Sequence, residues 1–321
     1  MPFWKRSSPE EEQQRMQAQQ EAEASLRSLQ AGGLPTQALR RLSEETAADH
    51  PLFSSDLSAR EFALTRNQGY RPLSQVMGSS IYHVGWQYTS NYSRYTNAYE
   101  LTTITQAHQH AAQLALGRLD QEAALLKAHG VIGVRLATRN YEWGSNLIEY
   151  TAIGTAIRLP DAPLFPQPFL SDLSGQEFWT LLQAGYFPAG LVTGFCSYCV
   201  STGWEVDRIL RSWSNQEVGA YSQAIYTARD LAMNRLTAMA RSFHAVGVVG
   251  MHIGFDKQEN EYERENDPTR YRDLFIHLSA VGTAIVSRRP DHVIPSPKPT
   301  LTFTDLRPGQ RGETRELTIR E

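Results

Sequence analysis

The sequence predicts an α+β fold made of two tandem copies of one domain. Three observations support this prediction: the chain repeats itself, each repeat opens with the capping signature of a short helix, and each contains a long apolar-striped helix followed by strand-like runs. A chain of 321 residues is long enough for two such domains with their own cores. We expect domains at 53–160 and 161–290, between a helical N-terminal arm at 1–52 and a polar, proline-rich tail at 291–321.

The repeat is visible when the chain is aligned with itself. Residues 53–83 align without a gap to residues 169–199, and 13 of the 31 aligned pairs are identical. Two further blocks repeat in the same order: 114–136 with 231–253, and 152–157 with 280–285. The constant order and the nearly constant offset indicate a duplication of a whole structural unit.

Each copy is predicted to begin with a short helix. A serine precedes a glutamate by three positions in both copies, Ser58 with Glu61 and Ser174 with Glu177. This spacing is typical of the capping box, in which the two residues satisfy each other's free amide donors at the start of a helix. A glycine, followed three residues later by a proline, then favours the end of the helix in both copies.

The predicted capped helix leads into a β-segment, at 73–89 in the first copy and 189–202 in the second. Both stretches are rich in Val, Ile, Tyr and Trp and are interrupted by glycine, which is typical of strands with bends or bulges.

A long helix with one apolar stripe is predicted next, ending near Gly130 in the first copy and Gly247 in the second. Short apolar runs at 131–134 and 248–251 suit strands, and a Gly-Thr-Ala-Ile segment supplies the last strand. The unit is therefore helix, β-segment, long helix, strand, strand. A longer, charged loop at 256–273 is expected to separate the last two strands of the second copy.

The N-terminal arm reads as a helix that begins at Ser8-Pro9 and ends before Gly32-Gly33, followed by a shorter amphipathic piece. Because its Gln, Glu and Ala residues have little to bury, the sequence favours a solvated, partly frayed arm over a docked helix. The polar tail beyond Ile294 is expected to add at most one strand.

Charge and cysteine content exclude several classes of protein. With 31 basic and 34 acidic residues the net charge is -3, so the chain lacks the positive field that nucleic-acid binding requires. Two cysteines are too few for a disulfide framework, the first residues lack the apolar core of a signal peptide, and no apolar run is long enough to span a membrane. We therefore expect a reducing, cytoplasmic compartment, no nucleic-acid partner and no transmembrane segment.

The glycine-punctuated β-segment, the long helix, the Gly-Val-Ile-Gly or Gly-Val-Val-Gly run and the final Gly-Thr-Ala-Ile strand resemble the YbjQ-like family, a domain labelled as heavy-metal-binding. The resemblance covers both copies, about two thirds of the chain. It implies a dodecin-like β-α-β-β domain that assembles into pentameric rings with sheets continuing between subunits. The leading capped helix and the tandem arrangement depart from single-domain members, which leaves a pentamer and a pseudo-decameric ring both open.

The family label directs attention to Cys196 and Cys199, because a CxxC pair can bind a soft or borderline divalent metal such as zinc. Residues three apart on a regular strand point to opposite faces, so both thiolates reach one metal only across a bulge. His83 aligns with Cys199 in the first copy and is also a zinc-binding residue type. The alternative is that these are small, half-buried strand residues, with cysteine acting as a hydrophobe.

Other polar residues suggest structural roles. No nucleophile elbow, phosphate loop, dinucleotide fingerprint or HExxH helix is present, so we expect no enzymatic activity. His108 and His110 lie about 200° apart on a helix and cannot share one metal. Arg118 and Arg235 recur in the two copies and are predicted to form an ion pair or an intersubunit contact.

Three functions from different classes remain. The first is a ring-forming, homo-oligomeric scaffold whose arm and tail bind other proteins; repeated strand units with open edges favour such assembly. The second is a heavy-metal-binding or sequestering protein that uses Cys196, Cys199 and His83. The third is a small-molecule binder at subunit junctions, and its candidate aromatic residues are Trp86, Tyr88, Phe195 and Trp204.

Overall fold

The computed structural model describes residues 9–47, 53–85, 97–140, 147–159, 162–264, 267–287, 302–304 and 314–316. The helices of this part of the chain are α1 (Pro9–Gln30), α2 (Thr36–Ala47), α3 (Ala59–Asn67), α4 (Thr102–Leu125), α5 (Gly175–Gln183), α6 (Trp204–Leu210) and α7 (Gly219–Ser242). Its strands are β1 (Arg71–His83), β2 (Asn97–Glu100), β3 (Gly130–Asn140), β4 (Leu147–Arg158), β5 (Phe169–Leu170), β6 (Tyr186–Thr202), β7 (Gly247–Arg264), β8 (Asp267–Ser287), β9 (Thr302–Thr304) and β10 (Thr314–Glu316).

Both copies fold in the predicted element order, and the mixed α+β class is confirmed. The first copy pairs its strands in the order β1-β4-β3 and the second in the order β6-β8-β7, with antiparallel neighbours in each case. The long helices α4 and α7 pack on these sheets. Both capping boxes form, with the serine hydroxyl accepting from the glutamate N–H and the glutamate carboxylate accepting from the serine N–H.

Two repeated glycines explain how closely each long helix lies on its sheet. A Cβ atom at Gly78 would come within 2.0 Å of the Ala115 carbonyl oxygen, and one at Gly194 within 2.1 Å of the Ala232 carbonyl oxygen. Any larger residue would push the helix off the strand, since Cβ atoms do not approach oxygens this closely.

The two copies exchange short edge strands, which the sequence did not predict. From the first copy, β2 pairs antiparallel with β6 of the second; β5 precedes the second copy's helix α5 and pairs parallel with β3 of the first. The sheets are therefore β1-β4-β3-β5 and β2-β6-β8-β7. Two of the apolar cores also contain residues of both copies, so the copies pack as one body.

The arm docks on the first copy through its second half. Most of α1 is exposed, as predicted, but Leu42 of α2 is buried. Arg118 of α4 donates to the carbonyl oxygens of Leu29 (3.0 Å) and Gly33 (3.2 Å), and Arg41 pairs with the buried Glu122 at 2.7 Å. The prediction of a solvated arm is thus wrong for this half, because the groups that anchor it lie on α4.

The predicted charged loop at 256–273 is instead a hairpin, and that prediction is wrong. Strand β7 continues to Arg264 and β8 begins at Asp267, and the two strands pair through this stretch, with Lys257 opposite Ile276 and a register shift between Glu263 and Arg264. Opposite charges face each other across the pair: Arg272 of β8 contacts Glu259 at 3.5 Å and Glu261 at 3.2 Å. Such cross-strand pairs stabilise a strand whose composition resembles that of a loop.

The tail differs from its prediction in one respect. Its described residues form two short strands, β9 and β10, which pair antiparallel.

The arginine prediction is confirmed for Arg235, which pairs with Glu100 at 2.8 Å, whereas Arg118 binds backbone carbonyls. None of the helices in the described ranges combines the length and apolarity needed to cross a membrane.

Candidate assembly interface

The outer edge of β3 is covered by the segment that opens the second copy, residues 169–173. Phe169 N–H donates to the His129 carbonyl at 3.1 Å, and Ser171 N–H donates to the Val131 carbonyl at 2.9 Å. In return, Gly133 N–H donates to the Leu173 carbonyl (2.8 Å) and Val134 N–H to the Ser171 carbonyl (2.9 Å). Four main-chain hydrogen bonds therefore close this edge of the sheet.

The same segment is anchored to its own copy. Asp172 N–H donates to the Thr283 hydroxyl at 3.0 Å, and the Thr283 hydroxyl also bonds to the Ser171 hydroxyl at 3.0 Å. The segment thus bridges β8 of its own copy and β3 of the other. Burial raises the pKa of the Asp172 carboxyl, while the Thr283 hydrogen bond opposes that rise.

The equivalent edge in the second copy is open. Strand β7 occupies the position of β3, and β8 is its only strand neighbour within the described residues. Val134 on β3 is 3% exposed, whereas its counterpart Met251 on β7 is 40% exposed. Ile253 and Phe255 follow on the same face, and both are exposed. A long edge strand with an exposed apolar row is typical of a surface that pairs with another chain.

The equivalent covering segment in the first copy, residues 53–57, is also open on its outer side. Asp56 N–H donates to the Thr155 hydroxyl at 3.1 Å, so the segment has the same own-copy anchor as Asp172. Asp56 also pairs with Arg135 of β3. Phe53 is 41% exposed, whereas its counterpart Phe169 is 5% exposed. Each end of the tandem thus presents one half of the junction that joins the two copies within the chain.

A stacked histidine pair lies inside the junction between the copies. The rings of His108 on α4 and His277 on β8 are 3.7 Å apart, centroid to centroid. His108 Nδ1 bonds to the Tyr150 hydroxyl at 2.9 Å, and His277 Nδ1 bonds to the Ser197 hydroxyl at 3.0 Å. The pair has no signature in the sequence, because its two members lie in different copies at positions that are not equivalent.

Burial keeps both rings of this pair neutral. Burial, together with the neighbouring His277, lowers the pKa of His108 to about 3. Burial also lowers the pKa of His277 to about 4, and the charge of Asp256, its partner across the β7–β8 pair, opposes that shift.

The predicted metal ligands are spread over two sheets. Cys196 and Cys199 are buried on β6, whereas His83 is exposed at the end of β1. The pairing of β6 with β8 runs without a register shift between the two cysteines, so their side chains point to opposite faces. No group of three or more His, Cys, Asp or Glu suited to a metal occurs among the residues that the structure describes.

Burial raises the pKa of both thiols to about 11. The charge of Glu100 adds to this shift at Cys196, and the charge of Asp273 adds to it at Cys199. Both cysteines are free. In the described state they are protonated side chains of the core.

A half-open cavity of about 390 Å³ lies between the copies, bordered by α4, the segment before β5, the start of β6 and α7. Phe165, Phe187 and Phe243 line it together with the carboxyl group of Asp120, whose pKa is raised by burial. Of the aromatic residues predicted for a ligand site, Phe195 is buried in the core instead. The other three, Trp86, Tyr88 and the Trp204 side chain, lie outside the described part of the chain.

Comparison with known proteins identifies relatives of both copies. The YbjQ family, described as "Putative heavy-metal-binding", matches residues 90–160 and 187–288. Over 230 residues the chain is 38% identical to an encapsulin nanocompartment protein of Mycobacterium tuberculosis, covering 70% of this chain and 85% of that protein. Over 100 residues it is 32% identical to a UPF0145 protein of Acinetobacter baylyi, covering 30% of this chain and 90% of that protein. None of these descriptions specifies an enzymatic activity.

Proposed function

Because this chain belongs to the YbjQ family through two tandem copies of its domain, we propose that it is a non-enzymatic assembly protein. It associates with further copies of itself through the two ends of the tandem, each of which presents one half of the in-chain junction, and serves as a scaffold. Each copy adopts a dodecin-like β-α-β-β arrangement, preceded by its capped helix. Domain boundaries follow the repeat, at 53–160 and 161–290.

The observation that carries this proposal is the contrast between the covered edge of β3 and the open edge of β7. The two strands are equivalent by the repeat, yet among the described residues only β3 has its outer main-chain groups paired with a further segment. An edge strand of this length offers main-chain groups that can pair with another chain, and its exposed apolar side chains favour association because that removes them from water.

A head-to-tail contact of this kind closes into a ring or continues as a filament. We propose a closed ring, since the resemblance to the YbjQ-like family implies one. The copies alternate around such a ring, because a junction between copies already exists inside each chain. Five chains would then provide ten pseudo-equivalent positions, a ring that is a pentamer of chains and a pseudo-decamer of domains.

The Mycobacterium tuberculosis relative supports an assembly role, since it is named an encapsulin nanocompartment protein. We propose that this chain likewise belongs to a protein nanocompartment system in the cytoplasm, a compartment consistent with its free cysteines. The exposed first half of α1 is the surface that we propose for a protein partner of the arm.

Light scattering after size-exclusion chromatography tests the assembly proposal. We expect one assembled species of several chains over a wide range of concentrations, and ring-shaped particles in electron micrographs. A mass of 36.1 kDa, the mass of one chain, at every concentration would overturn the proposal.

A second candidate, heavy-metal binding, is favoured by the family description alone. The ligands proposed for a zinc-like metal are Cys196, Cys199 and His83. Binding would require the two thiols to lose their protons and to approach one another, which the regular strand opposes. Metal analysis of untagged protein should show stoichiometric metal that is lost in a Cys196→Ser, Cys199→Ser double variant; equal metal in both proteins would exclude this site.

A further inference from the structure

We propose that residues 53–57 of one chain add as a parallel strand to the edge of β7 in another chain, in the register that residues 169–173 use on β3. This inference rests on the proposed assembly function and names the segment and the strand that form the contact between chains. Its basis is the in-chain junction, which shows both halves of the contact already joined.

The first step is the equivalence of the two segments. Phe53, Ser55 and Leu57 align with Phe169, Ser171 and Leu173 without a gap. Both segments are held by the same own-copy contact, an aspartate N–H that donates to a threonine hydroxyl on the last strand, at 3.1 Å in the first copy and 3.0 Å in the second. Residues 53–57 are therefore already placed against their own sheet, with the other side facing outward.

The second step is the equivalence of the two edges. Strands β3 and β7 both contain a bulge after their third residue, and the bulge glycines Gly133 and Gly250 have positive φ angles of 63° and 65°. This left-handed conformation favours glycine and turns the next N–H groups away from the neighbouring strand.

The bulge supplies the donors of the in-chain junction. Gly133 and Val134 have no partner in the β3–β4 register and donate to residues 173 and 171. Gly250 and Met251 likewise have no partner in the β7–β8 register. If residues 53–57 of another chain bind β7 as residues 169–173 bind β3, the N–H groups of Gly250 and Met251 would donate to the carbonyl oxygens of Leu57 and Ser55, respectively.

The third step is the apolar surface that the contact would cover. Phe169 packs within 5.6 Å of Phe178 and 5.1 Å of Phe187, centroid to centroid, and is buried by the junction. Phe53 instead stacks only on Phe62 of its own helix, at 5.2 Å, among the described ring contacts. Pairing with β7 would bury Phe53 and Met251 together, as Phe169 and Val134 are buried in the chain.

Cysteine cross-linking between two different variants tests the pairing and its register. Val131 lies opposite Leu170 in the in-chain junction, so Val248 of one chain is expected opposite Ser54 of another. Ser54→Cys protein is mixed with Val248→Cys protein, and the assembly is allowed to exchange before mild oxidation. We expect a covalent dimer on a non-reducing gel at least tenfold above that from either variant alone.

A register control uses the same strand. Phe255→Cys lies seven residues beyond Val248, about 23 Å along the strand, and should give no dimer with Ser54→Cys. Wild-type protein with its two buried cysteines sets the background. Equal cross-linking by Phe255→Cys, or none above background by Val248→Cys, would overturn the proposed pairing.

Light scattering on the same samples separates the two proposals. If the protein assembles but Ser54→Cys and Val248→Cys do not cross-link, another segment, such as the C-terminal tail, covers β7 and only this inference fails. If the protein stays a single chain, the assembly function fails as well.

Charge placed on the edge provides an independent measurement. Met251→Lys with Ile253→Lys should weaken self-association at least tenfold, because charged edge residues oppose strand addition. Leu39→Lys, which changes an apolar residue of similar exposure on α2, is the matched control and should leave association within twofold. Equal effects of the two changes would contradict a specific role for β7.

Discussion

The stacked histidines of the in-chain junction predict that acid loosens the chain. In the folded protein the pKa values of His108 and His277 are lowered to about 3 and 4. In the unfolded chain both histidines titrate near the ordinary value of about 6.5. Between pH 6.5 and 4 the unfolded chain therefore binds two protons that the folded chain excludes, so the folded state loses stability as the pH falls.

The size of this loss follows from the ordinary pKa of histidine. At pH 5.5, one unit below that value, protonation of each histidine stabilises the unfolded chain by about 1.4 kcal/mol. The pair together lowers the free energy of unfolding by about 3 kcal/mol relative to pH 8. With a urea dependence of about 2–3 kcal/mol per molar, the unfolding midpoint should fall by about 1 M.

The assay compares urea unfolding at pH 8 and pH 5.5 in wild type and in a His108→Phe, His277→Phe double variant, at one protein concentration. The variant keeps a stacked aromatic pair, but this pair does not titrate. Between pH 8 and pH 5.5 its urea midpoint should therefore fall by about 1 M less than the midpoint of wild type does. Carboxyl groups elsewhere titrate in both proteins and cancel in the comparison. His110→Gln, an exposed histidine on the same helix, should behave as wild type. Equal pH shifts in wild type and the double variant would refute the argument.

Three further predictions concern the fold around the junction. Arg118→Ala should release the arm, seen as faster proteolysis between α1 and α2, because the arm carbonyls of Leu29 and Gly33 lose their donor; unchanged cleavage would contradict its anchoring role. Gly78→Ala should cost about 3 kcal/mol or more in urea unfolding, since its Cβ would overlap the α4 backbone, while Gly117→Ala, with open space around its Cβ, should stabilise by about 0.5–1 kcal/mol. The thiols of Cys196 and Cys199 should react with a disulfide reagent at pH 8 only after unfolding, because burial raises the pKa of each to about 11; fast reaction in the native protein would show that they are accessible.

The sequence predicts those features that depend on local chemistry. The capping boxes at Ser58 and Ser174 form because each involves residues three positions apart. Gly78 and Gly194 were visible as repeated glycines, although only the structure shows that helix backbones cross them.

Features that depend on distant partners were missed for a physical reason. Strands β2 and β5 have four and two residues, too few for a periodic signal, and their partners belong to the other copy. The docking of the arm could not be predicted from the arm's own residues, because the side chain that donates hydrogen bonds to it, Arg118, lies in α4. The hairpin at 256–273 has the charged composition of a loop, and the ion pairs that stabilise it are apparent only once the strand register is known.

Duplication also allows the two kinds of junction to respond differently to acid. At the open ends of the chain, Ile225 stands at the position of His108, and Ile81 stands at the position of Ser197. Ile225 is 36% exposed and Ile81 61% exposed, whereas the residues at the in-chain junction are buried. A contact between chains built like the in-chain junction would bring these isoleucines together beside Glu149, which stands at the position of His277, and would contain no histidine pair. Acid should therefore loosen the joint inside each chain more than the proposed joint between chains, so that the proposed assembly persists at a pH where the in-chain junction is weakened.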